Sequence, residues 1–225
     1  MTHRPLQTGI SNQSALPEAT VARLISYRRL MERLQAEGRT RAFSHELAAM
    51  LHLTAPQVRR DIMLIGHTGS PARGYDVVAL RDHIVGLLHP GGEDRVALIG
   101  VGQLGRALLG YFGPVGRPKI VAAFDVAPEK TGTVINGVRC HDMAELETVI
   151  QQQNIRTAII ATPGAEAAAV VERLVKAGVT GVLNFAPRRL RVPPGVHLEH
   201  VDIAAKLEKV CFFARPNSGA VEETA

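Results

Sequence analysis

Gly100-Val101-Gly102-Gln103-Leu104-Gly105 sets glycines at the first, third and sixth places of a short run. Glycines so spaced allow a tight turn after a strand and a close approach of phosphates to the backbone N–H groups that open the following helix. Asp125 closes the next apolar run, 20 residues beyond Gly105. A carboxylate there accepts hydrogen bonds from a ribose 2′-hydroxyl and repels a 2′-phosphate, which implies NAD(H) over NADP(H) as the bound ligand. Similar loops cradle other phosphates, so CoA or another nucleotide remains the alternative.

A second chemistry-bearing group precedes it. Gln57, Arg59 and Arg60 fall near the start of one expected helix, on the side away from its apolar residues Val58, Ile62 and Ile65. Arginine can pair with guanine O6 and N7, and glutamine with adenine N6 and N7, when such a helix lies in a major groove. Asp61 is assigned to the same outer side. Arg73 sits in the turn-rich run 66–75, the place of a hairpin wing beside the recognition helix; a plain surface loop is the bland reading.

The elements that must position these residues follow from periodicity. Val21, Leu24, Tyr27, Met31 and Leu34 recur at steps of three and four, one face of a helix that Gly38 ends. A short helix is expected from Ser44 as N-cap, burying Leu47, Ala48 and Leu51. After the break His52-Leu53, the recognition helix opens on a capping box, Thr54-Ala55-Pro56-Gln57. A further helix from Asp76 buries Val77, Leu80, Ile84 and Leu87. From Arg95 on, apolar runs of four to seven residues alternate with helical stretches, the pattern of a parallel sheet covered on both faces. The expected fold is α/β: an N-terminal winged helix-turn-helix over 18–88, a Rossmann-type doubly wound parallel sheet over 93–201 and a terminal helix over 202–215. An unordered lead (1–17) and a tail (216–225) flank them.

Composition agrees and excludes much. The chain has 225 residues and a formal net charge of +5. Residues 1–92 hold 11 arginines, no lysine and 7 acids, whereas residues 93–225 carry a net of only +1. An arginine-only basic set suits bidentate recognition of phosphate and guanine edges. No apolar run is long enough to cross a bilayer, and the N-terminus has no secretory pattern, so a cytoplasmic location is expected. Cys140 and Cys211 are too few for a disulfide framework or a cysteine-rich metal site, and both read as core packing. No metal site is expected. Beyond the sheet about 25 residues remain, too few for a substrate domain. His197, His200 and Lys206 are the nearest candidates for a general acid, but none has a carboxylate at an obvious spacing, so no catalytic residue is expected. A small NAD-dependent oxidoreductase is the rival reading. The terminal helix, with Ile203, Leu207, Val210, Phe212 and Phe213, is too apolar to stand in water and calls for a second subunit.

The chain resembles the Rex family of redox-sensing bacterial repressors from about Glu18 to Arg215. The likeness is carried by ATVARLISYRRL (19–30), QVRRDI (57–62), RGYDV (73–77), GVGQLGRAL (100–108), AAFDVAPEK (122–130), NFAP (184–187) and VDIA (201–204). The resemblance implies a homodimer that exchanges its C-terminal helices and binds an inverted-repeat operator in double-stranded DNA. It implies NAD(H) as a ligand that is not consumed, with the operator released when NADH replaces NAD+, and control of respiratory and fermentative genes. It places Gln57, Arg59, Arg60 and Arg73 on DNA, and the glycine loop on the pyrophosphate. It sets Asp125 on the adenosine ribose, Thr162, Pro163, Asn184 and Phe185 near the nicotinamide, and a redox switch on Arg29, Tyr111 and Asp202. Ile65 and His67 stand where the family carries aromatics, Arg60 where lysine is common, and the wing holds one basic residue, not two.

Overall fold

The structure, a computed structural model, describes residues 16–70, 72–113 and 118–215 and divides into two compact units at Gly92/Glu93. Most of the expected lead, the tail 216–225 and Pro71 of the wing lie outside the described residues. Leu16 and Pro17 do not belong to an unordered lead: Leu16 packs against the first core and Pro17 caps α1.

The first unit comprises α1 (Glu18–Ala36), β1 (Arg41–Ala42), α2 (Ser44–Leu51), α3 (Ala55–Leu64), β2 (Tyr75–Asp76) and α4 (Val77–Leu88). Leu24, Tyr27, Met31 and Leu34 of α1 are buried with Leu47, Val58, Ile62, Leu80 and Ile84, one face from each helix, as the periodicity requires. β1 and β2 pair antiparallel, Ala42 opposite Tyr75. The pairing depends on Gly74, at φ +66°, where a Cβ would stand 2.5 Å from the Ala42 carbonyl oxygen. The break between α2 and α3 turns at His52, held left-handed at φ 54° with its N–H on the Ala48 carbonyl.

Three local expectations are corrected here. α2 is capped from Phe43, whose N–H donates to Glu46 Oε2 at 2.7 Å, and Ser44 is already helical. Only half of the capping box at α3 forms: Thr54 Oγ1 accepts from the Gln57 N–H at 3.3 Å. The Gln57 side chain turns away because Asp61, one turn on, accepts its Nε2–H at 2.9 Å. Asp61 faces inward, 3% exposed, between Val58 and Ile62 and not on the outer side.

The second unit is built on a seven-stranded sheet ordered β5-β6-β4-β3-β7-β8-β9. Its strands are β3 (Arg95–Ile99), β4 (Lys119–Asp125), β5 (Val134–Ile135), β6 (Val138–Asp142), β7 (Thr157–Ile160), β8 (Gly181–Asn184) and β9 (His197–His200). All pairings are parallel except the β5–β6 hairpin, which turns on Asn136-Gly137, both at positive φ. Side-chain alternation sorts the core onto two faces. Val96 and Leu98 pack with Leu109 of α5 (Gln103–Phe112). Ala97, Ile99, Ala158 and Ile160 pack beneath α6 (Leu146–Gln152) and α7 (Ala167–Lys176). This is the expected doubly wound sheet, with α8 (Ile203–Phe213) following its last strand. A 3-10 turn over Met143–Glu145, capped by Asp142, leads into α6.

Cys140 is buried in the core as expected, but Cys211 lies exposed on α8, which correction follows from the exposure of that whole helix.

Candidate functional site

The strand order reverses at β3, whose neighbours β4 and β7 lead to opposite edges, and the crevice at such a point is where doubly wound sheets bind ligands. The glycine run sits there. Gly100, at φ +94°, lies against β7's exit: a Cβ would come within 2.7 Å of the Ala161 carbonyl oxygen. A Cβ on Gly105 would stand 2.1 Å from the Gly100 carbonyl oxygen, so this glycine lets α5 press onto the loop. Gly102 differs, with nothing within 4 Å of a Cβ position at the helix N-cap. Two glycines thus serve packing and the middle one keeps space open over the α5 N-terminus. Gln103 and Leu104 are exposed beside that space, whereas Val101 is buried.

Asp125 is almost buried, and its carboxylate is well provided with donors. Oδ2 accepts the Val101 N–H at 2.7 Å and Lys130 Nζ at 3.0 Å; Oδ1 accepts the Ala127 N–H at 2.9 Å. Burial alone would raise its pKa, but these donors outweigh it and hold the carboxyl below the ordinary aspartate value. Asp125 therefore anchors the loop through Val101 and keeps limited acceptor capacity on Oδ1. Lys130, which the sequence reading passed over, is its ion-pair partner.

Thr162 abuts Gly100, and its Oγ1 is buried without a hydrogen-bond partner. A buried hydroxyl left so is costly unless a ligand or water completes it. Pro163 is exposed next to it. Asn184, 1% exposed, spends its side chain within the fold: Nδ2 donates to the Arg188 and Ala186 carbonyls and lies 3.0 Å from His200 Nδ1, while Oδ1 accepts the Ala186 N–H. It shapes the turn after β8, and Phe185, half-buried, lines the space beyond. That space is a cleft of about 490 Å³ bounded by Leu104, Phe185, Pro187, Arg188, Asp202 and Ile203. His200 borders it, but its Nε2 takes the Leu190 N–H at 3.4 Å, and His197 pairs with Glu199. Both belong to β9.

Asp202 caps α8, Oδ1 accepting the Ala205 N–H at 2.8 Å, and stays exposed at the cleft. Tyr111 is 76% exposed on α5, set edge-on to Phe112. Arg29 is exposed on α1 in the first unit, where Ser26, Arg33 and Met50 share its hollow.

On α3, Arg59 and Arg60 point outward, Arg59 Nη1 to Ser44 Oγ at 3.2 Å and Arg60 Nη2 to Gln57 Oε1 at 3.3 Å. Arg73 is exposed in the loop closed by the Ser70–Gly74 bridge. Behind them lies a network the sequence reading missed. Asp61 accepts Arg23 Nε at 2.6 Å and Nη2 at 2.9 Å, Tyr27 Oη at 2.8 Å and Gln57 Nε2. Burial opposes the charge, yet the Arg23, Tyr27 and Gln57 donors prevail and lower the Asp61 pKa, while burial and the Asp61 contact push the Tyr27 phenol up. The signal was available in the spacing: Asp61 falls three after Val58 and one before Ile62, on the inner stripe.

A helix-turn-helix unit with outward arginines, joined to a dinucleotide-type sheet in one chain, defines a class: DNA-binding regulators fused to a nucleotide-binding domain. Comparison with known proteins narrows it. Residues 15–62 match a family model for a DNA-binding protein N-terminus, and residues 92–188 the CoA binding domain model. Redox-sensing transcriptional repressor Rex 2 of Enterococcus faecalis is 37% identical over 89% of this chain and 94% of its own length. The Rex protein of Geobacillus kaustophilus is 38% identical over 91% and 96%. Among solved structures, the Rex-family repressor RSP in complex with β-NAD+ and operator DNA aligns with a TM-score of 0.80 at 30% identity, covering 88% of this chain and 92% of that one. RSP with β-NADH aligns at 0.77. The chain belongs to the Rex family of redox-sensing transcriptional repressors.

Proposed function

We propose that this protein is a homodimeric repressor that reads an inverted-repeat operator and releases it when NADH replaces NAD+. The observation that carries the reading is the open N-terminus of α5: Gly102 leaves space above it and the Thr162 hydroxyl beside it lacks a partner. An anionic pyrophosphate suits both the helix end and the free donor. Gly100, Gly102, Gln103, Leu104 and Gly105 would hold the pyrophosphate, with Val101 supporting the loop. Asp125 would meet the adenosine ribose, and Thr162, Pro163 and Phe185 the nicotinamide end, in a turn fixed by Asn184. When bound, the dinucleotide supplies a redox-dependent charge on its nicotinamide ring and undergoes no turnover.

Gln57, Arg59, Arg60 and Arg73 would contact DNA. Arg29, Tyr111 and Asp202, all exposed, would form the switch, with the Arg29–Asp202 pair made in one redox state only. α8 would be exchanged with a second copy; Leu183 and Phe185, only half covered on the α5 side of the sheet, are apolar surface available to it. Among the described residues no helix is long and apolar enough to cross a membrane, and a DNA-reading role would be exercised in the cytoplasm.

The test is a titration of the full chain on its upstream DNA with each dinucleotide. NADH should dissociate the complex and NAD+ should not; an equal response to both would overturn the sensing reading, since a ligand without differential affinity shifts nothing. Because the CoA binding domain model also matches, CoA belongs in the same titration. Unchanged NADH affinity in Asp125→Ala would favour that ligand.

A further inference from the structure

The outward face of α3 is not wholly polar. Met63 is 67% exposed and Leu64 57% exposed, although the two precede only a short turn and the inner stripe of the helix is already filled by Val58, Asp61 and Ile62. At 3.6 residues per turn, Met63 falls one turn beyond Arg59, on the arc between Arg59 and Arg60, while Leu64 falls past Arg60. Met63 thus shares the outward face of α3 with Arg59 and Arg60, about one turn nearer its C-terminal end. A methionine so exposed is open to cover by a partner, and burial of its apolar surface would favour that contact.

The occupant follows from the flanking charges. Two arginines on one helical face call for a polyanion, and among the edges a DNA major groove offers, only thymine presents an apolar group, its C5-methyl. Methionine is suited to such a contact, since its unbranched thioether adapts to the small mismatches of a helix lying in a groove. We infer that Met63 is a specificity-determining residue, selecting thymine in each half-site by packing on the C5-methyl beside the bases that Arg59 and Arg60 read. This rests on the proposed entry of α3 into DNA.

The experiment separates the two. The full-length protein, with NAD+ present, selects duplexes from a randomised DNA library, and each thymine of the selected half-site is then replaced by uracil, which deletes one methyl. At one position uracil should weaken wild-type binding about fourfold per half-site. Met63→Ala should bind the thymine duplex about as weakly as the wild type binds the uracil duplex, and should be indifferent to the exchange. Met63→Leu should keep the preference. A thermal melt close to that of the wild type shows that Met63→Ala folds, as expected for an exposed position. If uracil is neutral at every thymine, or costs Met63→Ala as much as the wild type, the inference is overturned while DNA reading stands. If no sequence is enriched, or Arg59→Ala binds the selected duplex undiminished, the reading of α3 as the recognition helix fails and takes the inference with it.

Discussion

Asp61 gathers donors from two helices, and its burial makes each of them necessary. Asp61→Asn removes the charge but leaves Arg23 and Tyr27 aimed at it, so the first unit should lose about 2–4 kcal/mol, read from denaturant melts. The sign of the pH dependence follows from its lowered pKa. The stabilisation is complete above the ordinary aspartate value of about 4 and is lost as pH falls through the lower folded value. Stability should therefore drop below about pH 4 in the wild type and flatten in Asp61→Asn; parallel profiles would remove Asp61 as the cause. The glycines divide in the same way. Gly105→Ala forces a Cβ onto the Gly100 carbonyl and should destabilise the second unit by about 1–3 kcal/mol. Gly102→Ala meets no protein atom, so it should melt like the wild type while binding dinucleotide more weakly, as calorimetry would measure. The glycine run was legible because phosphate chemistry dictates its spacing. The inward place of Asp61 was readable from the stripe, but its partners Arg23 and Tyr27 were not, because they stand 38 and 34 positions upstream and only the fold brings them near.

Elements were legible to the degree that they bury one face. α1, α3 and α4 follow their apolar stripes, and β3, β4, β7 and β8 follow runs of apolar residues buried from both sides. β9 escaped notice because His197-Leu198-Glu199-His200 has the composition of a surface loop: it is an edge strand, paired on one side and mostly exposed. The β5–β6 hairpin did carry a signal, Asn136-Gly137, and β6 alternates, with Val138 and Cys140 inward and Arg139 outward, but β5 is only two residues long. α8 inverts the rule. Its register is that of a core helix, yet none of its residues is buried, and Phe213 is 74% exposed. Eleven residues are too few for a helix to persist alone in water, so α8 needs a cover. If a second copy supplies it, Leu207→Asp together with Phe212→Asp should convert the dimer to a monomer of 24.2 kDa in light scattering. A dimer that survives both changes would place the interface elsewhere. The operator should then also be lost, because a single half-site leaves half of the contacts unmade.

At the scale of the molecule, two units of different charge and different chemistry share one chain. The 11 arginines of the first unit suit it to DNA, and on the proposed reading the second unit holds the nucleotide as a ligand. Regulation must then reside in coupling between the two, and coupling is reciprocal: whatever factor NADH takes from operator affinity, the operator takes from NADH affinity. A tenfold loss of DNA binding on adding NADH corresponds to about 1.4 kcal/mol and demands a tenfold rise in the NADH dissociation constant when saturating operator is present. Both arms are measurable by fluorescence, one on labelled DNA and one on the reduced nicotinamide. The switch residues should enter through this factor alone. Asp202→Ala should bring both ratios toward one while leaving NAD+-bound affinity for DNA within about twofold, since the hydrogen bond that Asp202 makes caps α8 and involves none of the residues proposed to contact DNA. Unequal apparent ratios in the wild type would mean that NADH acts by dissociating the dimer and not by a two-state shift within it, since competition for one surface would itself be reciprocal. Those routes separate by protein concentration, on which loss through dissociation depends and a two-state shift within an intact dimer does not.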